Sequence, residues 1–162
     1  MKIYTIGHSN IDFDKFLHLL KKYDIELVVD VRSSPYSKYV PHFNRENLEE
    51  SLKNSEINYL FLGNRIGGKP KDEKYYKGSK VSYELIETEK PYKEGISQLI
   101  AHVNKNRTVI LCSEENPYNC HRHHLITQTL LREGLNVNHI RGNGKQEKVE
   151  KSKKNDVQAT LF

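Results

Sequence analysis

Three short segments of this 162-residue chain carry side chains suited to chemistry. Cys120-His121-Arg122 sets a thiol beside an imidazole and a guanidinium. Nearby cations and the N–H groups of a helix start both favour a thiolate, which can serve as nucleophile, redox thiol or metal ligand. A small cysteine that only packs a helix start has the same signature. Gly7-His8-Ser9 offers an imidazole for proton transfer or for orienting a neighbour, and a turn histidine bonded to backbone reads alike. Asp30-Val31-Arg32 closes an apolar run, so Asp30 is expected to be partly buried and to need Arg32 or His8 as a partner. Arg32 and Arg122 together suit a fork for phosphate or carboxylate; each could instead pair with Asp30, Glu114 or Glu115.

The candidate set is therefore His8, Glu114 and Cys120 as catalytic groups, with Ser9, Arg32, His121 and Arg122 binding an anion or substrate. No metal and no cofactor is expected. The spacing C-x7-C-H-x-H-H from Cys112 to His124 matches no standard zinc pattern, and His121, His123 and His124 do not share one helix face.

The elements that must position these groups alternate. Residues 3–6 read as a strand ended by Gly7. Asp12 caps a helix with Phe13, Phe16, Leu17 and Leu20 on one face. Residues 25–31 suit a strand covered on both faces. Asn44 caps a short helix carrying Leu48 and Leu52, and 59–62 is a third strand. Residues 65–90, rich in Gly, Lys, Tyr and Ser, read as a long excursion with about one helical turn, whose Tyr75, Tyr76 and Tyr83 could stack on bases or be ordinary surface tyrosines. Pro91 opens a helix with Ile96, Leu99, Ile100 and Val103 facing inward. A fourth strand at 108–111, a helix over 120–133 closed by Gly134, and a fifth strand at 137–140 complete the pattern.

Such alternation predicts a single Rossmann-like, three-layer α/β domain over residues 1–142, with a mostly parallel five-stranded sheet. Ligands of such sheets bind beyond the carboxyl ends of the strands, where all three chemical segments fall. Residues 143–157 read as a Lys-rich linker. With 36% hydrophobic and 29% charged residues, the chain suits one small core and a large wet surface. No apolar run approaches the roughly 20 residues that span a bilayer, and no signal-peptide core opens the sequence. The expected location is cytoplasmic, with no membrane partner, and the two cysteines are expected to be reduced. The formal charge of +5 favours anionic partners such as DNA or a nucleotide.

Taken together, Thr5-Ile6-Gly7-His8-Ser9, Asp30 to Pro35, Leu62-Gly63 with Gly67-Gly68, Leu111 to Glu114 and Cys120-His121-Arg122 resemble the prokaryotic family called domain of unknown function 488. The resemblance implies the fold and matching functional positions at His8, Ser9, Arg32, Glu114, Cys120, His121 and Arg122, but no reaction. A second likeness, to rhodanese sulfurtransferases, rests on the strand ending in Asp-Val-Arg and on Cys112 after a later strand. The loop from there to Arg122 is longer than that family's and contains Pro117.

The chain ends Gln158-Ala159-Thr160-Leu161-Phe162. Q-x-x-L-F resembles the pentapeptide by which many bacterial DNA enzymes dock on the sliding clamp. Gln158 can hydrogen-bond at a pocket rim while Leu161 and Phe162 fill an apolar cleft. The expectation is a DNA repair or nucleotide-processing enzyme recruited by the clamp. The alternatives are a non-catalytic nucleic-acid or nucleotide binding module, and a cysteine-dependent sulfur-transfer or redox enzyme.

Overall fold

The computed structural model describes residues 1–151. The clamp-like residues Gln158, Leu161 and Phe162 lie outside them. In chain order the elements are β1 (Lys2–Gly7), α1 (Phe13–Lys22), β2 (Leu27–Asp30), α2 (Arg45–Asn54), β3 (Asn58–Phe61), α3 (Gly63–Ile66), β4 (Tyr76–Lys77), β5 (Lys80–Val81), α4 (Tyr83–Thr88), α5 (Lys90–Val103) and β6 (Thr108–Cys112). A π-helical segment (Arg122–Thr127) runs into α6 (Gln128–Arg132), followed by β7 (Asn136–Ile140) and β8 (Gln146–Lys148).

The main sheet has the order β3-β2-β6-β1-β7-β8, parallel throughout except for β8, which runs antiparallel to β7. Five strands match the sequence reading; β8 makes the sheet six-stranded. It lies in the stretch read as linker, because Gln146, Glu147 and Lys148 lack the apolar signature of a strand. An edge strand pairing on one side does not need that signature: Gln146 hydrogen-bonds Asn138 (2.8 Å) and Glu147 meets Arg141 (2.6 Å).

Strand alternation divides the interior into two layers. Val29, Ile110 and Cys112 face one side of the sheet, against Leu99 of α5 and Leu125 and Leu130. Val28, Val109 and Leu111 face the other, against Phe16 and Leu20 of α1 and Leu48 and Leu52 of α2. The helix ends follow local rules. Asp12 accepts from the Lys15 amide (2.8 Å), with Lys21 and Lys22 in the last turn of α1. Gly134, at φ +85°, ends the α6 region. Asn44 differs from its expected part: it precedes α2, but its side chain accepts from the Ser37 amide (2.7 Å), fastening the β2–α2 loop rather than the helix.

Residues 65–90 hold more structure than the sequence pattern predicts, comprising part of α3, the small β4–β5 hairpin and α4. These elements are too short for periodicity to reveal.

Candidate functional site

The carboxyl ends of β1, β2 and β6 meet in register, and backbone bonds carry the alignment past the strands themselves. His8 N donates to Cys112 O (3.0 Å), Ser9 N to Ser113 O (2.8 Å) and Val31 N to Leu111 O (3.0 Å). Gly7 permits this closure, since a Cβ there would sit 1.6 Å from the Glu114 carbonyl oxygen. Ser9 then turns at φ +49°, a left-handed conformation that costs a non-glycine residue energy and recurs at functional sites.

One wall of the resulting cleft is a closed polar network. Arg32 grips Asp30 with two nitrogens, Nε to Oδ1 (2.9 Å) and Nη2 to Oδ2 (2.8 Å). Its Nη2 also donates to Phe43 O (2.8 Å), and Tyr59 Oη donates to Asp30 Oδ2 (2.6 Å). His8 donates from Nδ1 to Ser9 O (2.7 Å), which leaves Nε2 to accept from Arg32 Nη1 (3.2 Å) while the ring stacks on Phe43. Burial, first, and the Arg32 charge hold the His8 imidazole neutral, its pKa lowered to about 4. His8 therefore orients Arg32 in this arrangement, and its basic nitrogen is already engaged. Asp30 has the partner expected for a buried carboxylate.

The second wall comes from the opposite layer of the sheet. Cys112 ends β6, and Cys120 and His121 open the helical segment after the 113–119 loop. His121 Nδ1 lies 3.7 Å from Cys112 Sγ and 3.8 Å from Cys120 Sγ. Its other nitrogen, Nε2, donates to Val31 O (3.1 Å). Gly68 packs closely against this ring; a Cβ there would be 2.5 Å from His121 Cγ. The Arg122 amide points at Cys120 Sγ (3.4 Å). A hydrogen bond from Cys112, then the neighbouring His121 and Arg122, push the Cys120 thiol toward its thiolate form, and the same sulfur pair with burial pushes the Cys112 thiol up. Both cysteines are free thiols and both are buried.

Arg122 takes a different part from the one its position suggests. It is wholly buried, and its guanidinium donates to Glu114 O (2.5 Å), Glu115 O (2.9 Å) and Thr5 Oγ1 (3.1 Å). It braces the loop that follows β6 instead of forming an anion fork with Arg32. With all three nitrogens turned to acceptors inside the fold, the two arginines do not converge on one ligand. Glu115 is likewise engaged, with Arg141 (3.0 Å) and the Gly142 amide (2.9 Å), which lowers its carboxyl pKa. Glu114, in contrast, is exposed and faces the cleft with Ser9, Ser34 and Ser113.

His8, Ser9, Arg32, Glu114, Cys120 and His121 thus line adjoining parts of one cleft at the strand ends, and Arg122 lies behind it. Sequence reading missed two features. A chain of the buried Thr5 and His139 and the half-buried His123 backs Arg122, with Thr5 Oγ1 to His139 Nδ1 at 2.6 Å and His139 Nε2 to His123 Nδ1 at 3.0 Å. Its members come from β1, β7 and the helical segment, so no sequence spacing links them. A groove of about 710 Å³ also joins the cleft at Ser34, Tyr36 and Lys69. On its lining Arg45, Arg65, Lys69 and Lys71 outnumber Asp72 and Glu89, and Tyr36 and Tyr75 give aromatic surface. Of the tyrosines in the 65–90 excursion, Tyr83 faces the cysteine pocket and Tyr76 donates to Pro70 O (2.8 Å).

No described helix is long and apolar enough to cross a membrane. The family model for domain of unknown function DUF488 matches residues 12–129, most of the chain, and the chain belongs to that family. No curated protein and no solved structure matches it.

Proposed function

We propose that this DUF488 member is a nucleic-acid-directed enzyme, of the repair or nucleotide-processing class, in a Rossmann-like fold. The observation that carries the reading is the continuity between the basic, tyrosine-bearing groove and the polar cleft at the strand ends. Cations along a groove track a phosphate backbone, and exposed aromatic rings such as Tyr36 offer faces on which bases stack. A strand held there would deliver one nucleotide to Ser9, Ser34 and Ser113 as hydroxyl ligands, with Glu114 as the acid–base group. Arg32, fixed by Asp30 and His8, forms a rigid polar wall of the cleft. The C-terminal Q-x-x-L-F peptide would dock on the sliding clamp and raise the local concentration of DNA.

Titration of a labelled single-stranded oligonucleotide tests this. Binding should weaken steeply with salt. Lys69→Ala with Lys71→Ala should reduce affinity about 10-fold and flatten the log–log salt slope by roughly 1.4. Removal of residues 158–162 should abolish clamp binding and leave oligonucleotide binding intact. Salt-insensitive binding, or none, would sink the reading.

A further inference from the structure

We propose that Cys112, Cys120 and His121 bind a zinc ion through two thiolates and the imidazole Nδ1, leaving a fourth coordination position open to the cleft. The inference goes beyond the nucleic-acid reading and does not depend on it.

The geometry is close to that of a zinc site. With Zn–S near 2.3 Å and Zn–N near 2.05 Å, a tetrahedral site places sulfur and nitrogen about 3.5 Å apart and the two sulfurs about 3.8 Å apart. Here Nδ1 stands 3.7 and 3.8 Å from the two sulfurs, and all three donor atoms lie within 4.8 Å of one another. The ring is held for ligation: Nε2–H is committed to Val31 O, so the lone pair on Nδ1 faces the sulfurs, and Gly68 packs closely against the ring. A backbone carbonyl accepting from the far nitrogen is the usual outer support of a metal-bound histidine. The Arg122 amide directed at Cys120 Sγ gives the thiolate a comparable support.

Charge argues the same way. Two thiolates and one dication sum to zero, which suits three side chains that are each more than nine-tenths buried. Two sulfurs and a nitrogen form a borderline-soft set that selects zinc over magnesium or calcium. A disulfide between the cysteines would leave the Nδ1 lone pair aimed at nothing.

Sites that close with four protein ligands are structural; those with three keep a place for water or substrate. The same three residues line a pocket of about 290 Å³ with Ser113, Glu114 and Tyr83, so the fourth position faces solvent-accessible space. The exposed Glu114 carboxylate makes no hydrogen bond or ion pair to another side chain among the described residues, and the residue lines the same pocket. Glu114 thus offers, in the same pocket, a carboxylate of the kind that takes a proton from a zinc-bound water in hydrolysis.

The full chain, purified without a histidine tag, should carry one equivalent of zinc by elemental analysis. Replacement by cobalt should give the visible bands of a tetrahedral site and a near-ultraviolet thiolate-to-cobalt band. Cys112→Ser and Cys120→Ser should each weaken zinc binding about 100-fold or more, and His123→Ala should retain it. Cyanide should shift the cobalt spectrum by taking the fourth position. Should the serine variants fail to fold, competition of the wild-type chain with a chromophoric chelator decides: a Kd below about 10 nM supports the site, and a micromolar one overturns it. The proposal is equally overturned by protein with two reactive thiols and no cobalt band, by a mass two hydrogens low that reports a disulfide, or by undiminished zinc affinity in Cys112→Ser. A cobalt spectrum indifferent to cyanide would refute the open position.

Discussion

The two walls of the cleft are built from similar numbers of polar groups, yet they are organised oppositely. On the α1/α2 side of the sheet, Asp30, Arg32, His8 and Tyr59 bond to one another and to backbone until each polar atom has a neighbour. On the α5/α6 side, Cys112, Cys120 and His121 turn two sulfurs and one nitrogen toward one another, with Nδ1 3.7 and 3.8 Å from the sulfurs. A saturated polar cluster fixes shape, because every member is held by the others. A convergent cluster with spare lone pairs is arranged for something else to complete it. Burial alone does not separate the two, since every member of both sets except the half-buried Tyr59 is inside the protein. The direction of the donor atoms does.

Three perturbations sharpen that contrast. The largest effect should come from Asp30→Ala. It strands the buried Arg32 guanidinium and should cost about 3–5 kcal/mol in urea denaturation, the penalty of an uncompensated buried charge. A loss under 1 kcal/mol would mean that the wall is not a saturated network. Next is pH. Burial lowers His8 to about 4 and His139 to about 3, so the unfolded chain binds protons that the folded chain refuses. Stability from each is fully present above the ordinary histidine pKa near 6.5 and is lost as pH falls from there toward the folded value. Between pH 7 and pH 5 the loss should be about 2 kcal/mol per histidine. His8→Asn should remove one such contribution; an unchanged slope would place His8 outside the network. Smallest is Tyr59→Phe, which deletes one hydrogen bond to a carboxylate that keeps its contacts with Arg32. About 1.5 kcal/mol is expected, with oligonucleotide affinity unaltered. A change in affinity without a change in stability would instead make Tyr59 part of the binding surface.

The fold was largely legible from sequence, for reasons that particular residues make plain. The apolar strands around Val28, Val109 and Val137, the Asp12 cap and the Gly134 stop are local signals, and each appears where local rules put it. β8 was not legible, because Gln146–Lys148 gains its strand from Asn138 and His139 rather than from its own composition. The candidate residues were legible as a group, since parallel strands deliver their carboxyl ends to one edge. Their duties were not. Arg122 and Arg32 look equivalent in sequence, yet one braces the Glu114 and Glu115 carbonyls and the other faces the cleft.

By itself the sequence determined which side chains reach the strand ends and that the sheet is parallel there. These follow from periodicity and turn chemistry, which act over a few residues. Only the tertiary structure decided who meets whom. Cys112 and Cys120 are eight positions apart, across a loop whose path is set by Arg122, Thr5 and Gly7 from elsewhere in the chain. Val31 and Gly68 then fix the ring of His121 from still other segments. No linear spacing encodes that convergence, because packing between segments, and not the chain between the ligands, sets the distances.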